Sequence, residues 1–251
     1  MSGRRHLLYF AWGGLVYALA LLAMLPAAWL SQAIERVSGQ RLELREATGS
    51  AWAGSGRLYA RAGPGALTDL GTVRWTSFPE ALLRGKLGAD MTLNDAPKPI
   101  RVEVGPGSIS IRDLALDVPG RLVAALAPPL QVFGPEGRLT IQSDNLRIEE
   151  ETVLGLATVE WRDIRLARST NLELGSHVAR LRGAGSRVDI ELGTLAGPLR
   201  VAGTGSWSAR GELDLSGTAE PRPDAAAALV PFLRGVCPAF RDGRCIFQIK
   251  Y

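Results

Sequence analysis

The sequence predicts a mainly β protein, with one N-terminal transmembrane helix followed by a curved, mainly antiparallel β-sheet domain that carries two or three short helices. Two observations support this fold class. The first is a single uncharged, apolar run from Leu7 to Leu30. The second is the alternation of apolar and polar residues in many short segments after Arg41, which is typical of half-buried strands. Strands with one apolar and one wet face belong to antiparallel sheets.

The apolar run is long enough to cross a membrane. Its 24 residues would extend roughly 36 Å as an α-helix, and the hydrocarbon core of a bilayer is about 30 Å thick. Arg4 and Arg5 precede the run, so the positive-inside rule makes residues 1–6 a cytoplasmic tail and residues 7–30 an anchor, with the remainder exported. A cleaved signal peptide is the alternative, with a weak cleavage site at 31–33, although secretory apolar regions usually have only about 7–15 residues.

The chain after the anchor divides into a neck, residues 31–40, and a β-rich domain, residues 41–251. Residues 100–104, Ile-Arg-Val-Glu-Val, show the alternation most clearly. Glycines at short intervals between such segments mark turns, bulges and bends, and with the interrupting helices they favour a long, twisted, curved sheet over a compact barrel. The same alternation occurs at 42–44, 109–111, 139–141, 188–192 and 213–215.

Three segments interrupt the alternation and predict short helices. Residues 78–83 begin Phe-Pro-Glu, and a first helical turn accepts proline. Residues 121–126 follow a Pro-Gly pair. Residues 224–233 form the third segment, which Asp224 could cap and which a proline near its end would shorten or bend.

Two cysteines, Cys237 and Cys245, flank seven residues that contain an Asp-Gly turn signal. A turn brings the two ends close, and an oxidising compartment favours a disulfide between them. Two free buried thiols or half of a metal site are the alternatives. A metal site needs more ligands, and the only histidines are His6 and His177.

Composition and motifs exclude several classes of function. The net charge is +4, of which Arg4 and Arg5 supply two, and the other charges are interspersed rather than collected into the basic stripe of a nucleic-acid-binding protein. No Walker loop, dinucleotide fingerprint or Gly-x-Ser-x-Gly motif is present. The glycine pairs in 183–186 and 203–206 are interpreted as turns or bulges. We expect no nucleic-acid partner and no cofactor.

Residues that could serve catalysis also have simpler interpretations. His177 lies near a turn, where a lone histidine is more often a surface or strand residue than a base. Glu149, Glu150 and Glu151 could hydrolyse a glycoside only if two of them faced one sugar ring across a cleft, and adjacent carboxylates point different ways. Four tryptophans could line a sugar groove, but their strand contexts favour core or sheet-face packing. We expect no catalytic residue, no metal site and no enzymatic activity. The tryptophans are Trp52, Trp75, Trp161 and Trp207.

Several short motifs occur in an order that resembles a known family. Residues 47–54 contain Gly-x-x-Trp-x-Gly, residues 70–75 read Leu-Gly-Thr-Val-Arg-Trp and are followed by Pro79 and Leu87, and a Gly-x-Leu-x-Ile strand begins at Gly137. These motifs follow one apolar span and precede a C-terminal helix and strand. This order of elements resembles that of the type II secretion system protein N family, and the resemblance covers essentially the whole chain. The layout is also distantly similar to AsmA-type proteins, a likeness of fold that says little about function.

The resemblance implies an accessory subunit, a structural adaptor, of the machine that moves folded proteins across a bacterial outer membrane. It implies a single-pass inner-membrane protein with a cytoplasmic N-terminus and a periplasmic bulk. The expected partners are other inner-membrane secretion subunits or the outer-membrane secretin, with the bilayer contacted through residues 7–30. The family offers no catalytic residues.

Two other functions remain open at this point. One is an AsmA-like, lipid-handling module whose curved sheet holds the acyl chains of phospholipid in an apolar trough; the alternating strands suit a trough and a filled core equally well. The other is an envelope hydrolase, which would need a clustered site that the sequence does not show.

Overall fold

The computed structural model describes residues 12–14, 17, 24–61, 67–120, 133–167 and 172–250. The predicted tail, most of the predicted anchor 7–30 and the predicted helix 121–126 lie outside these residues. Within the described residues, no helix has the length and apolar character needed to cross a membrane.

The described strands form one 14-stranded sheet in which every pair of neighbours is antiparallel. Each strand from β1 to β11 lies beside the next strand in the sequence, and only the C-terminal edge departs from this order, ending β12, β14, β13. The two ends of the sheet do not pair with each other, which confirms the predicted open, curved, antiparallel sheet. The strands are β1 (Leu42–Gly49), β2 (Ala53–Arg61), β3 (Leu67–Ser77), β4 (Leu87–Leu93), β5 (Ile100–Gly105), β6 (Ser108–Pro119), β7 (Pro135–Glu149), β8 (Thr152–Leu166), β9 (Leu172–Gly185), β10 (Arg187–Ala196), β11 (Leu199–Ser208), β12 (Leu213–Pro221), β13 (Ala239–Arg241) and β14 (Arg244–Lys250).

Helix α1, Ala28–Val37, packs against the first strands of the sheet. It begins inside the predicted anchor and continues through most of the predicted neck. Leu30 and Ile34 pack on a cluster of buried side chains, and burial of this apolar surface holds the helix on the sheet. The buried members of this N-terminal cluster are Ala27, Leu44, Val73 and Trp75.

The chain before α1 extends the first hairpin by a few residues. The Ala51 N–H donates to the Leu25 carbonyl at 2.8 Å, and the Ala27 N–H donates to the Gly49 carbonyl at 3.3 Å. Pro26 and Ser50 form an isolated antiparallel bridge between these bonds. The backbone just before α1 is therefore tied to the end of β1.

Two of the predicted short helices are confirmed. Pro79–Arg84 is a 3₁₀ helix with proline at its first position, and it ends at Gly85, whose φ of 67° is left-handed. Helix α2, Ala226–Val236, forms the third predicted segment, but the prediction that Asp224 caps it is wrong. Asp224 lies in a preceding 3₁₀ turn, Pro223–Ala225, because the proline starts a separate turn there.

A second core cluster holds α2 on the other end of the sheet. Leu229 and Leu233 are buried against Leu199, Ala219 and Cys245, which belong to β11, β12 and β14. Phe133 extends the contact, since its ring meets that of Phe232 edge to face at 5.8 Å. The helix therefore ties the last strands together.

Truncating a leucine of this C-terminal cluster should unfold the protein more easily. Leu229 is 1% exposed, and Leu229→Ala should lower the free energy of unfolding by about 2–5 kcal/mol, because it removes buried methyl groups and leaves a cavity. Leu83 is 90% exposed, so the control Leu83→Ala should change it by about 0.5 kcal/mol or less. Urea unfolding of the purified protein measures both, and equal losses would contradict the assignment of the core.

Cys237 follows α2 directly, and Cys245 lies in β14. The Asp242-Gly243 turn between them has φ values of 50° and 76°, as a two-residue hairpin turn requires. The two sulfur atoms are bonded, and the Cα atoms are 5.7 Å apart. The bond links the end of the helix to the edge of the sheet.

This disulfide should contribute modestly to stability because the loop it closes is short. Replacing both cysteines, Cys237→Ser with Cys245→Ser, should cost about 2–3 kcal/mol of unfolding free energy. Thiol titration of the denatured, unreduced wild-type protein should find no free thiol. Two free thiols would disprove the pairing.

Candidate functional site

The register of the strands sorts side chains onto two chemically different faces. Residues that are direct partners in neighbouring strands point to the same face. Val104, Ile109, Ile148 and Val153 are successive partners across β5, β6, β7 and β8. A second row runs across β7 to β10 and consists of Ile141, Val159, Ala179 and Leu192. These rows lie on what we call the apolar face.

The apolar face is buried at its two ends, and between them buried residues such as Val153 stand beside partly exposed ones. The N-terminal and C-terminal clusters cover the ends with α1 and α2. In the centre, Ile111, Ile141 and Leu181 are partly exposed, and Val104 keeps 43% of its surface exposed. A partly exposed apolar surface is a candidate site for a partner or an apolar ligand.

The opposite face, which we call the charged face, carries ion pairs between neighbouring strands. Arg101 donates to both carboxylate oxygens of Asp90, at 2.7 and 2.9 Å, and this bonding holds the pKa of Asp90 below its ordinary value. Pairs this exposed contribute about 1 kcal/mol or less, so they keep the face hydrated and favour one register rather than supply stability. Other pairs on this face are Arg138–Asp117, Arg180–Glu191, Arg244–Glu220 and Lys250–Asp214.

His177 is a strand residue on the apolar face, where its partners are Trp161 in β8 and Thr194 in β10. Its Nδ1 lies 3.2 Å from the Thr194 Oγ1. That oxygen accepts the Val201 N–H at 2.6 Å and donates to the Val201 carbonyl at 3.1 Å. The threonine hydroxyl is bonded to the backbone of Val201, so no activated hydroxyl faces the ring.

The second nitrogen of His177 is buried without a hydrogen-bond partner. Burial lowers the pKa of His177, because an imidazolium would lose its hydration there, and the backbone of Leu174 opposes this effect in part. The ring is therefore neutral at neutral pH and acts as a packing group.

The three consecutive carboxylates occupy an exposed turn, as the sequence predicts. Glu149 ends β7, and Glu150 and Glu151 lie in the turn to β8. Glu149 approaches Arg147 at 3.7 Å, whereas Glu151 approaches Arg210 at 3.8 Å. All three carboxylates line one open groove of about 600 Å³ beside this turn, but Glu149 and Glu151 are paired with different arginines and do not form a couple.

The tryptophans of the strands are spread along the sheet. Trp75 is 5% exposed and belongs to the N-terminal cluster, which confirms core packing for this residue. Trp161 donates its indole N–H to the Glu136 carbonyl at 3.3 Å. Trp207 lies on β11 as the partner of Val188, three strands from Trp161. These residues do not line one groove.

The glycines at 203–206 are not in a turn, which corrects one expectation. Gly203 and Gly205 lie inside β11, where a Cβ on Gly205 would come within 2.4 Å of the Asp214 carbonyl oxygen. They are strand glycines that allow close approach of β12. In the part of the chain that the structure describes, no group of three His, Cys, Asp or Glu side chains could hold a metal ion.

The free energy of unfolding should fall in mild acid because His177 becomes protonated more easily in the unfolded chain than in the folded protein. The unfolded histidine takes up its proton near pH 6.5, whereas the folded one does so only at lower pH. The stability that the neutral ring contributes is therefore present above about pH 6.5 and is lost as the pH falls through the lower, folded pKa. His177→Phe should show a smaller loss of unfolding free energy between about pH 7.5 and 5.5, measured by urea unfolding. Identical pH profiles for the two proteins would contradict this account.

Comparison with known proteins agrees with this architecture. Residues 40–246, nearly all of the β-rich domain, match the family described as Type II secretion system (T2SS), protein N. No curated protein and no solved structure matches the chain. The match confirms the family that the order of motifs indicated and covers most of the chain, so this protein belongs to the type II secretion system protein N family and is an accessory component of type II secretion.

Proposed function

We propose that this protein is a structural adaptor of the type II secretion system. Residues 7–30 anchor it in the inner membrane, and residues 41–251 lie in the periplasm, where they contact other inner-membrane subunits or the outer-membrane secretin. The observation that carries the proposal is the family match over residues 40–246.

The architecture supports an adaptor because it offers long surfaces rather than a cleft. Fourteen strands at about 4.8 Å spacing follow a path of about 60 Å across the sheet. Along this path one face is charged and the other apolar. One groove on the sheet, of about 710 Å³, is open and includes Leu93, Lys98 and Gln142 in its lining.

A second candidate function is the handling of lipid. The observation that favours it is the half-buried centre of the apolar face between the two core clusters. Acyl chains of phospholipid would bury this surface by the same hydrophobic effect that seats α1 and α2 at the ends.

One experiment separates the two functions. The full-length chain, tagged at its N-terminus, is isolated in mild detergent from its native envelope, and proteins and lipids are quantified together by mass spectrometry. The matched control carries residues 1–40 fused to an unrelated periplasmic domain. The adaptor function predicts that secretion subunits are enriched over this control without stoichiometric lipid. Recovery of stoichiometric phospholipid without those subunits would contradict the adaptor function and support the lipid-handling function.

A further inference from the structure

The two edges of the sheet differ in how they are protected. An unpaired edge is a template for another strand, and proteins protect edges with bulges, charges or covering elements. At β1, the register shifts between Arg45 and Thr48, and Glu46 adopts a left-handed φ of 53°. The chain before α1 is bonded to the end of β1, and α1 packs beside it. This edge therefore carries a bulge, a backbone segment bonded to its end and a helix beside it, which are devices that protect a sheet edge.

The other edge is only partly covered. β13 pairs with Arg244, Cys245 and Ile246 of β14 and then ends. It does not extend, because the next residue in register to bond to β14 is Cys237, whose N–H donates instead to the Leu233 carbonyl of α2 at 2.9 Å. Within the described residues, nothing pairs with the outer side of β14 beyond Ile246, which leaves 247–250 as what we call the open edge.

The hydrogen-bond pattern shows which backbone groups of the open edge point outward. The Arg222 N–H donates to the Pro198 carbonyl and the Ser208 N–H to the Glu212 carbonyl, both at 2.8 Å. Antiparallel partners alternate between bonded and non-bonded pairs. Even-numbered residues of β12 therefore bond to β11, and odd-numbered ones bond to β14.

This alternation carries over to β14 through its register with β12. Gly217 is the partner of Phe247, and Leu215 is the partner of Ile249. Phe247 and Ile249 therefore direct their N–H and C=O groups to β12. Gln248 and Lys250 direct theirs away from the sheet, where a further strand could bond to them.

The side chains at this edge define the kind of strand that fits. Phe247 and Ile249 share the apolar face with their β12 partners, whereas Gln248 and Lys250 lie on the charged face. The outer hairpin, β13 and β14, carries three basic residues, Arg241, Arg244 and Lys250, against one acidic residue, Asp242, and on β12 Glu220 pairs with Arg244 at 3.3 Å and Asp214 with Lys250 at 3.2 Å. Arg241 and Arg244 are direct partners, and like charges opposite each other are unfavourable, so an acidic side chain on an incoming strand complements the net positive charge of this outer hairpin.

A second copy of this chain fits the open edge less well. Ala239 already occupies the position opposite Ile246, so self-pairing about a two-fold axis could use only 248–250 of each chain. It would also bring the basic groups of both copies together, which adds repulsion instead of removing it.

We propose that the open edge of β14 is a docking site for an extended strand of another secretion subunit, a strand in which apolar and acidic side chains alternate. The backbone of Gln248 and Lys250 bonds to this strand, its apolar side chains continue the apolar face, and its acidic side chains lie near Arg244 and Lys250. The inference rests on the proposed adaptor function and assigns its contact to one edge of the sheet.

Hydrogen exchange on the full-length chain tests this assignment, with the free protein compared with the complex isolated from the envelope. The Gln248 and Lys250 amides should exchange freely in the free protein and at least about tenfold more slowly in the complex. The Phe247 and Ile249 amides, which bond to β12, should exchange equally slowly in both and serve as an internal control.

A pair of variants at one position tests the same contact. Gln248→Pro removes an outward N–H, and an edge strand tolerates proline; Gln248→Ala keeps the N–H. Recovery of secretion subunits should fall about tenfold with Gln248→Pro and stay within about twofold with Gln248→Ala. Thermal melting compares the folding of the two variants.

The outcomes distinguish this site from the broader proposal. If secretion subunits are recovered but the Gln248 and Lys250 amides are not protected, the open edge is not the docking site and the adaptor function stands. Protection that appears with self-association alone, seen by sedimentation, would make a second copy the occupant and overturn the proposal. If the wild-type chain recovers no secretion subunit, the adaptor function fails, and this inference fails with it.

Discussion

The structure depends on keeping one register through an unbroken succession of antiparallel strands. Side chains alternate between the two faces with a period of two, so a shift of the pairing register by one residue would move all the apolar side chains of a strand to the charged face. Among the described residues, the two core clusters lie where α1 and α2 pack at the ends of the sheet, so the strands between them depend on their neighbours to correct such an error. Register must therefore be specified at each hairpin, by the turn residues and by cross-strand pairs such as Arg101 with Asp90.

The long strands also contain bulges, which adjust the register locally. Partner spacing shifts between Gln142 and Leu146 on β7 and between Trp161 and Ile164 on β8. Asp163, which lies between Trp161 and Ile164, has a φ of 53°. Aspartate visits the left-handed region more readily than most residues, so the inserted residue is accommodated there and the strand bends. The apolar alternation then resumes on the correct side.

The sequence predicts the local structure well because alternation is a local signal. Residues 100–104 become β5, and the proline at 79 starts a 3₁₀ helix. What it could not predict depends on contacts between distant segments. Gly205 has the sequence context of a turn, but the closeness of β12 explains its presence inside a strand. The open edge at 247–250 carries no motif, because it is defined by where the neighbouring β13 ends.

The meander has a mechanical consequence. All the ladder bonds from β1 to β14 lie across the strands, along the line that joins α1 to the last strand. A pulling force along this line acts on the hydrogen-bond ladders between strands in series, so every ladder carries the whole force. The sheet resists such a pull only as well as its weakest neighbouring pair, because each strand contacts mainly the strands beside it. Strands joined this way separate one at a time, so the domain should lengthen in steps under tension while the disulfide at its far end holds the last hairpin to α2.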